Sequence, residues 1–488
     1  MKNIEGKGVK IQKKTSILFV ASESNPFAGT GGLADVIGSL PKALAKSRSL
    51  DVRVVIPLYK DFSSLYRDKL SFVGNFNVPL AWRNQYCGVF EYKHEGVRYY
   101  FLDNEYYFKR DGLYGFFDDG ERYAFFSMAS LLLMKYLDFY PEVLHAHDWQ
   151  AALSVIYLKT KFKNEYGFDK IKTMFTIHNI EYQGKYPKDI LGDVFGLDNE
   201  YLNDIEYDNC INLLKGAMVH SDIVSTVSPT YAKEINYDYY SHGLSSIIKS
   251  VEDKTVGILN GIDEVLYNAK NDNHLFKNYS LEDLSGKQVC KEELQKMLGL
   301  PVKANVPIIA LITRLVGHKG VDLLKGVINE LLSEDVQLII LGKGEAQYEE
   351  FFKKAQEDYQ SKCRAVIAYN KDLSSKIYSG ADIFLMPSKS EPCGLSQMIA
   401  CRYGTIPVVR NTGGLADSIT PYNIERKGGN GFRFDNYNAH EMLYVLKDAI
   451  FTYNDKKVWN MLVNTAMTTD FSWKKSAKEY IKIYKKLI

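Results

Sequence analysis

The chain carries two successive series of short apolar runs separated by stretches of helical periodicity, with a break near residue 262. A wholly apolar run of that length is what a parallel strand covered on both faces requires. In the first series "SILFVAS" (16–22) leads through a glycine loop into the helical "LADVIGSLPKALAKS", and "DVRVVIPLY" (51–59) follows as the next strand. That opening is a βαβ unit. "VLHAH" (143–147), "KTMFTIH" (172–178), "DIVSTVS" (222–228) and "TVGILNG" (255–261) continue the series.

From about 268 to 305 the chain turns polar, and the pattern restarts with "PIIALITRL" (307–315), "VQLIILGKG" (336–344), "CRAVIAYN" (363–370), "ADIFLMPS" (381–388) and "TIPVVRN" (405–411). Two such series predict two doubly wound α/β domains, and 488 residues is too long for one ordinary core. The last segment, "WKKSAKEYIKIYKKLI", reads as an amphipathic helix. Open α/β sheets bind ligands at the carboxyl ends of their strands. Two of them facing each other would put both ligand edges on one cleft.

A hydrophobic content of 46% and a charged content of 25% are those of a soluble globular protein. A net charge of +2 gives no reason to expect nucleic acid or an acidic membrane surface as partner. The Lys-rich start, Met1 to Ser16, is followed only by the apolar run Ile17–Ala21, too short for a signal peptide's core or a membrane span. Cys87, Cys210, Cys290, Cys363, Cys393 and Cys401 are scattered without a Cys-x-x-Cys pair. That argues against a disulfide framework or zinc site and fits a reducing cytoplasm. The 35 tyrosines offer a polar ligand such as a sugar many stacking and hydroxyl partners, although half-buried tyrosines explain most of them as well.

The hexapeptide "TGGLAD" occurs twice, at 30–35 and at 412–417. The first copy, with Gly29, fits the dinucleotide fingerprint G-x-G-x-x-G/A, but "SESNPF" separates it from its strand and no acidic residue ends the second strand. The fingerprint is therefore rejected. Glycines before a helix still expose N–H groups at a positive dipole end, which suits an anion, while a plain tight turn is the competing explanation. Recurrence of the motif favours a binding role, with each copy a loop on one wall of the cleft.

In "HAHDW" (145–149) His145 is expected to point into the domain and His147 to stand at the strand end, where it could hydrogen-bond a hydroxyl. No His or Cys cluster nearby suggests a metal. "TRLVGHKG" (313–320) puts Arg314 and Lys319 on one loop, a pair suited to a diphosphate unless the loop is merely basic and solvated. "SKSEPCGLSQ" (388–397) sets Glu391 after a strand end and Gly394 at a helix start, so that the acid could take sugar hydroxyls and the amides a phosphate.

TGGLADV, HAHDW, TIHNIEYQG, NGID, TRL…KG, EPCGLSQ and the second TGGLAD, in this order, closely resemble bacterial glycogen synthases and plant starch synthases. The resemblance runs from about Ile17 to the C-terminus. It implies a GT-B fold of two Rossmann-like domains facing across a deep cleft: residues 1–262 on the glucan side, 263–465 holding the nucleotide sugar, and a terminal helix, 466–488, returning to the first domain. It also implies transfer of glucose from ADP-glucose to the non-reducing 4-hydroxyl of an α-1,4-glucan, with retention and without metal or other cofactor.

By position, the resemblance makes Arg314 and Lys319 the pair that stabilises the departing phosphates and Glu391 the essential carboxylate at the glucose hydroxyls. His147 would lie beside the glucosyl 6-hydroxyl. Cys393, Gly394, Leu395 and Ser396 would offer backbone amides. Gly31, Gly32, Asp35, Asp118, Asn260 and Ser388 would line the nucleotide-sugar site, with Tyr369 stacking on adenine. The implied mechanism is electrostatic: an oxocarbenium-like state, negative charge growing on ADP, and cations with a helix N-terminus drawing it off. Domain closure would exclude water.

Two positions depart from the family pattern. Where Lys precedes Thr-Gly-Gly-Leu, this chain has Gly29, and Phe108 stands where Tyr is expected. Another cation, Lys185 or Arg110, could fill in; activity could be weaker or the donor changed to UDP-glucose; or the chain could be a silent glucan-binding relative. Intact Arg314, Lys319, Glu391 and His147 favour a working enzyme. Oligomeric state is not readable from the sequence.

Overall fold

The computed structural model describes residues 14–425 and 428–488. The basic start read from the sequence lies almost wholly outside the described residues. The chain forms two compact units. The first comprises residues up to 225 together with 241–256 and 477–488, and the second comprises 226–240 and 257–476.

The first unit is built on a nine-stranded sheet. In chain order its strands are β1 (Thr15–Val20), β2 (Leu50–Pro57), β3 (Ser71–Leu80), β4 (Arg83–His94), β5 (Val97–Asp103), β6 (Val143–His147), β7 (Lys172–Ile177), β8 (Ile223–Thr226) and β9 (Thr255–Gly257). Their spatial order is β9-β8-β7-β6-β1-β2-β5-β4-β3. Strand β1 runs parallel to both β2 and β6, with Phe19 opposite Val54 on one side and His145 on the other. The switch point of this sheet thus lies at β1, between the series that leaves through β2 and the one that leaves through β6. Helix Asp119–Tyr136 is buried on nearly every face, as an apolar helix inside a large unit must be.

Strands β3, β4 and β5 form an antiparallel meander at one edge. The sequence reading, tuned to continuous apolar runs, passed over all three, β5 included. Strands β3 and β4 alternate between core and solvent, which is the pattern of an antiparallel edge rather than of a buried parallel strand.

The second unit holds a six-stranded sheet. Its strands are β10 (Ile308–Ile312), β11 (Gln337–Leu341), β12 (Cys363–Val366), β13 (Ile383–Met386), β14 (Ile406–Arg410) and β15 (Phe432–Phe434). The order β12-β11-β10-β13-β14-β15, all parallel, is that of a doubly wound sheet with its switch point between β10 and β13. The five expected strands of this half all form, and β15 adds a sixth at the edge.

The division of the chain differs from the boundaries expected at 262 and 465. Residues 226–240 group with the second unit, and the second stretch of the first unit ends at Val256. Helix Lys456–Thr468 stays with the second unit, and only 477–488 group with the first. There Tyr484 OH lies 2.8 Å from His145 Nδ1, deep in the core. Burying two aromatic rings ties this terminal segment to β6.

Candidate functional site

In the second unit the loops after β10 and β13 flank the switch point. Lys319 Nζ donates to Glu391 Oε2 at 2.7 Å, and Ser388 Oγ donates to the same oxygen at 2.9 Å. The two charged side chains are only 18% and 9% exposed. Glycine makes the approach possible: Gly320 has φ +74°, and a Cβ there would stand 2.1 Å from Pro387 O. Lys389 N donates to His318 O at 2.9 Å and closes the same junction. Arg314 is exposed on the Lys319 loop, with Nη2 3.5 Å from His318 Nε2, and the structure does not bring it to Glu391.

Cys393 lies behind Glu391 in the same turn. Burial pushes its thiol up to about 12, although the backbone and side-chain N–H groups of Asn260 point at the sulfur. Asn260 Oδ1 is buried and has no hydrogen-bond partner. Gly394 takes φ +70°, and the helix Ser396–Arg402 begins at Leu395 without a side-chain cap. Gln397 Nε2 reaches back to the carbonyls of Cys393 (3.1 Å) and Gly394 (2.9 Å), which fixes this helix start. Tyr369, beyond β12, is 92% exposed and keeps both ring faces open. Lys319, Ser388, Glu391, Cys393 and Asn260 therefore form one cluster, and Tyr369 stands apart at the end of another strand.

The two copies of Thr-Gly-Gly-Leu-Ala-Asp begin helices of different character. Gly31 and Gly32 are exposed, and a Cβ on either would meet nothing within 4 Å. Gly413 and Gly414 are buried under the Glu391 turn, where a Cβ would stand 2.0 Å from Glu391 O and 2.1 Å from Cys393 O respectively. Gly414 N donates to Glu391 O (3.1 Å) and Pro392 O (3.2 Å). The idea that each copy is an open loop on a cleft wall fails for the second, whose amides already serve the protein. The hexapeptides share one device: Glu23 accepts from Thr30 N and Oγ1, and Glu234 accepts from Thr412 Oγ1 and Gly413 N. Burial raises the pKa of both carboxyls.

The first unit gathers His145, His147, His178 and Asp148 at the end of β6. His145 bonds Tyr484 OH and Thr176 Oγ1, facing inward as the sequence suggested. His147 Nδ1 is 3.0 Å from His178 Nε2, its ring stacks on Phe19, and its Nε2 is buried without a partner. Burial drives His145 and His147 well below the usual imidazole range and His178 down to about 3. Asp148, with φ +56°, accepts from His178 N at 2.7 Å, and burial raises its carboxyl to about 7. His147 is thus a neutral imidazole with one polar atom unspent.

Asp35 accepts from Asn25 Nδ2 at 2.7 Å. Asp118 is held by Arg110 through both carboxylate oxygens; burial opposes its ionisation, but the hydrogen bonds and charge of Arg110 outweigh it and hold the pKa low. Arg110 therefore already has a counter-charge, whereas Lys185 is exposed on a two-residue strand. Gly29 sits in a turn without room for a side chain, since a Cβ would meet Ala34 Cβ at 2.4 Å and Asn25 Oδ1 at 2.9 Å. Phe108 is fully buried among Tyr59, Phe125 and Arg122, a core residue rather than part of a site wall.

The sequence reading missed Asp148, His178, Ser228 and Glu234. Asp148 and His178 stand inside quoted motifs, and their strand-end positions were a usable signal. Ser228 also ends a quoted run, but nothing tied it to the Glu391 turn, and Glu234 carried no signal, because only the fold brings 226–240 there. Among the described residues no group of three or more His, Cys, Asp or Glu could hold a metal ion, and no helix is long and apolar enough to cross a membrane.

Comparison with known proteins agrees with these features. The family model for the starch synthase catalytic domain matches residues 16–250, and that for glycosyl transferases group 1 matches 293–458. A glycogen synthase of Desulforamulus reducens is 48% identical over 474 residues, 97% of this chain and 98% of the relative. A glycogen synthase of Geobacillus stearothermophilus is 46% identical over 474 residues, again 97% and 98%. The catalytic domain of starch synthase IV from Arabidopsis thaliana, solved with ADP and acarbose, superposes with a TM-score of 0.89 at 34% identity, covering 97% of this chain and 99% of that one. Sucrose-phosphate synthase from Thermosynechococcus elongatus shares the fold alone, at 15% identity and a TM-score of 0.59. With relatives matched from end to end and a charged pair seated at the switch point of its second sheet, the chain belongs to the glycogen and starch synthase family of glycosyltransferases.

Proposed function

We propose that the protein is a glycogen synthase that moves glucose from ADP-glucose to the non-reducing 4-hydroxyl of an α-1,4-glucan with retention of configuration. The observation that carries this reading is the Lys319–Glu391–Ser388 cluster between β10 and β13, where a doubly wound sheet takes its ligand. The end-to-end likeness to glycogen synthases supports it, as does likeness to a starch synthase solved with ADP and acarbose.

In this reading Lys319 and Arg314 take the diphosphate, Lys319 as a compact charge and Arg314 through its planar fork. Negative charge develops there as the glycosidic bond breaks, so cations placed in advance lower the barrier. Glu391, fixed by two donors on Oε2, receives the hydroxyls of the glucosyl group. Asn260 and the amides from Cys393 to Ser396 line the remainder, and Tyr369 offers its open ring to adenine. His147, kept neutral by burial, serves as hydrogen-bond partner to a sugar hydroxyl rather than as a cation. No metal is assigned a role, the charge on ADP falling to the two basic side chains. The six free cysteines suit a reducing cytoplasm as the place of action.

Incubation with glycogen and labelled ADP-glucose or UDP-glucose tests the reading. Incorporation from ADP-glucose is the expected result. Incorporation from UDP-glucose alone would reassign the donor, and none from either would end the reading.

A further inference from the structure

Of the segment that leaves the first sheet after β8 and returns before β9, residues 226–240 group with the second unit and the remainder with the first. Residues 226–240 touch the Glu391 turn directly at one point and hold its neighbours at two more. Ser228 Oγ donates to Pro392 O at 2.6 Å. Glu234 takes Thr412 Oγ1–H on Oε1 (2.9 Å) and Gly413 N–H on Oε2 (3.0 Å), and the next amide, Gly414 N, donates to Glu391 O and Pro392 O. Tyr240 OH accepts from Arg410 Nη2 at 3.2 Å, and Arg410 Nη1 in turn donates to Lys389 O. Asp417 is tied to the same segment by Thr230 N and Oγ1, both at 2.7 Å.

The carboxylate of Glu391 is fixed by Lys319 and Ser388, but its main chain is fixed from the 226–240 segment. A half-buried carboxylate that accepts a main-chain N–H makes a strong, directional bond, and Glu234 spends one oxygen on the Gly413 amide and the other on the Thr412 hydroxyl. Gly413, at φ +44°, and Gly414 have no Cβ to hold the chains apart, so a shift of Glu234 passes directly to the carbonyl of Glu391.

We propose that Glu234 and Ser228 are positioning residues that set where the Glu391 carboxylate stands during glucosyl transfer. The proposal rests on the reading of Glu391 given above. Neither residue touches substrate in this scheme. They act through Gly413, Gly414 and Pro392, so their loss shows in kcat rather than in donor binding.

The test is steady-state kinetics with glycogen and ADP-glucose for Glu234→Ala, Glu234→Gln, Ser228→Ala, Thr412→Val and Glu391→Gln, with a thermal unfolding midpoint for each. A small displacement of a reacting group costs up to about 100-fold, so Glu234→Ala is expected to lower kcat about 30-fold with KM for ADP-glucose changed less than about 2-fold. Glu234→Gln is expected to stay within about 3-fold of the parent, because a carboxamide oxygen can accept Gly413 N–H while its NH₂ donates to Thr412. Should Glu234→Ala fail to fold, Ser228→Ala and Thr412→Val carry the test, each expected to lower kcat about 3- to 10-fold at constant KM. Unchanged kcat in the folded variants, equal losses in Glu234→Ala and Glu234→Gln, or a rise in KM alone would overturn the proposal. Glu391→Gln separates the two readings: full activity there removes the proposed site itself, whereas an inactive Glu391→Gln beside normal Ser228 and Glu234 variants removes only the positioning role.

Discussion

Lys319 Nζ stands 2.7 Å from Glu391 Oε2, joining two loops that lie 72 residues apart in the chain. Both side chains are largely withdrawn from water, so removing one leaves the other's charge unpaired. Lys319→Met is expected to cost about 2 kcal/mol, reduced from a fully buried pair because the lysine keeps some solvent contact. Lys319→Met combined with Glu391→Gln should recover at least half of that cost, although all three variants lose turnover. Urea unfolding of the four proteins reads the coupling. Strictly additive losses would show that the pair is not the unit described.

The two copies of Thr-Gly-Gly-Leu-Ala-Asp should answer the same substitution differently. Gly32→Ala meets open space at the start of a helix, and its stability is expected to stay within about 1 kcal/mol of the parent. Gly414→Ala drives a methyl to 2.1 Å from Cys393 O, and overpacking of that kind is expected to cost about 3 kcal/mol. Thermal or urea unfolding decides between them. Equal tolerance at both positions would contradict the close approach at the second copy.

The imidazole cluster of the first unit makes stability fall in acid. His178 is held at about 3 against an ordinary 6.5, so below pH 6.5 the unfolded chain binds a proton that the folded chain refuses. Its effect is to lower stability as pH drops from 6.5 towards 3, and the depressed His145 and His147 act in the same direction. Asp148 is raised from 3.8 to about 7, so its contribution is complete below 3.8 and is lost as pH rises through 7. His178→Gln removes one proton-binding difference. It should therefore flatten the dependence of unfolding free energy on pH between about 6 and 4 by about 1.4 kcal/mol per pH unit. An unchanged slope would mean that His178 titrates normally in the folded protein.

What could be read from the sequence followed from local signals. Continuous apolar runs marked most of the parallel strands of both sheets, though not β5 or β15, and the strand-end positions of His147, Lys319 and Glu391 followed from them. The β3–β4 hairpin escaped because its residues alternate between core and water. The chain divides at 256/257 rather than 262, and residues 226–240, which read as a continuation of the first series, group with the second unit. Gly29 read as a missing cation, but its turn has no space for a Cβ, a fact that only the position of Ala34 reveals. The second TGGLAD looked like a duplicate of the first, and its different task is set by the carbonyls of Glu391 and Cys393 that lie across it.

A crystal structure with ADP bound tests the central claim most directly. The expected result is a diphosphate within about 3 Å of Lys319 Nζ and the Arg314 guanidinium, with adenine against Tyr369. ADP bound at any place remote from Lys319 and Arg314 would contradict the account.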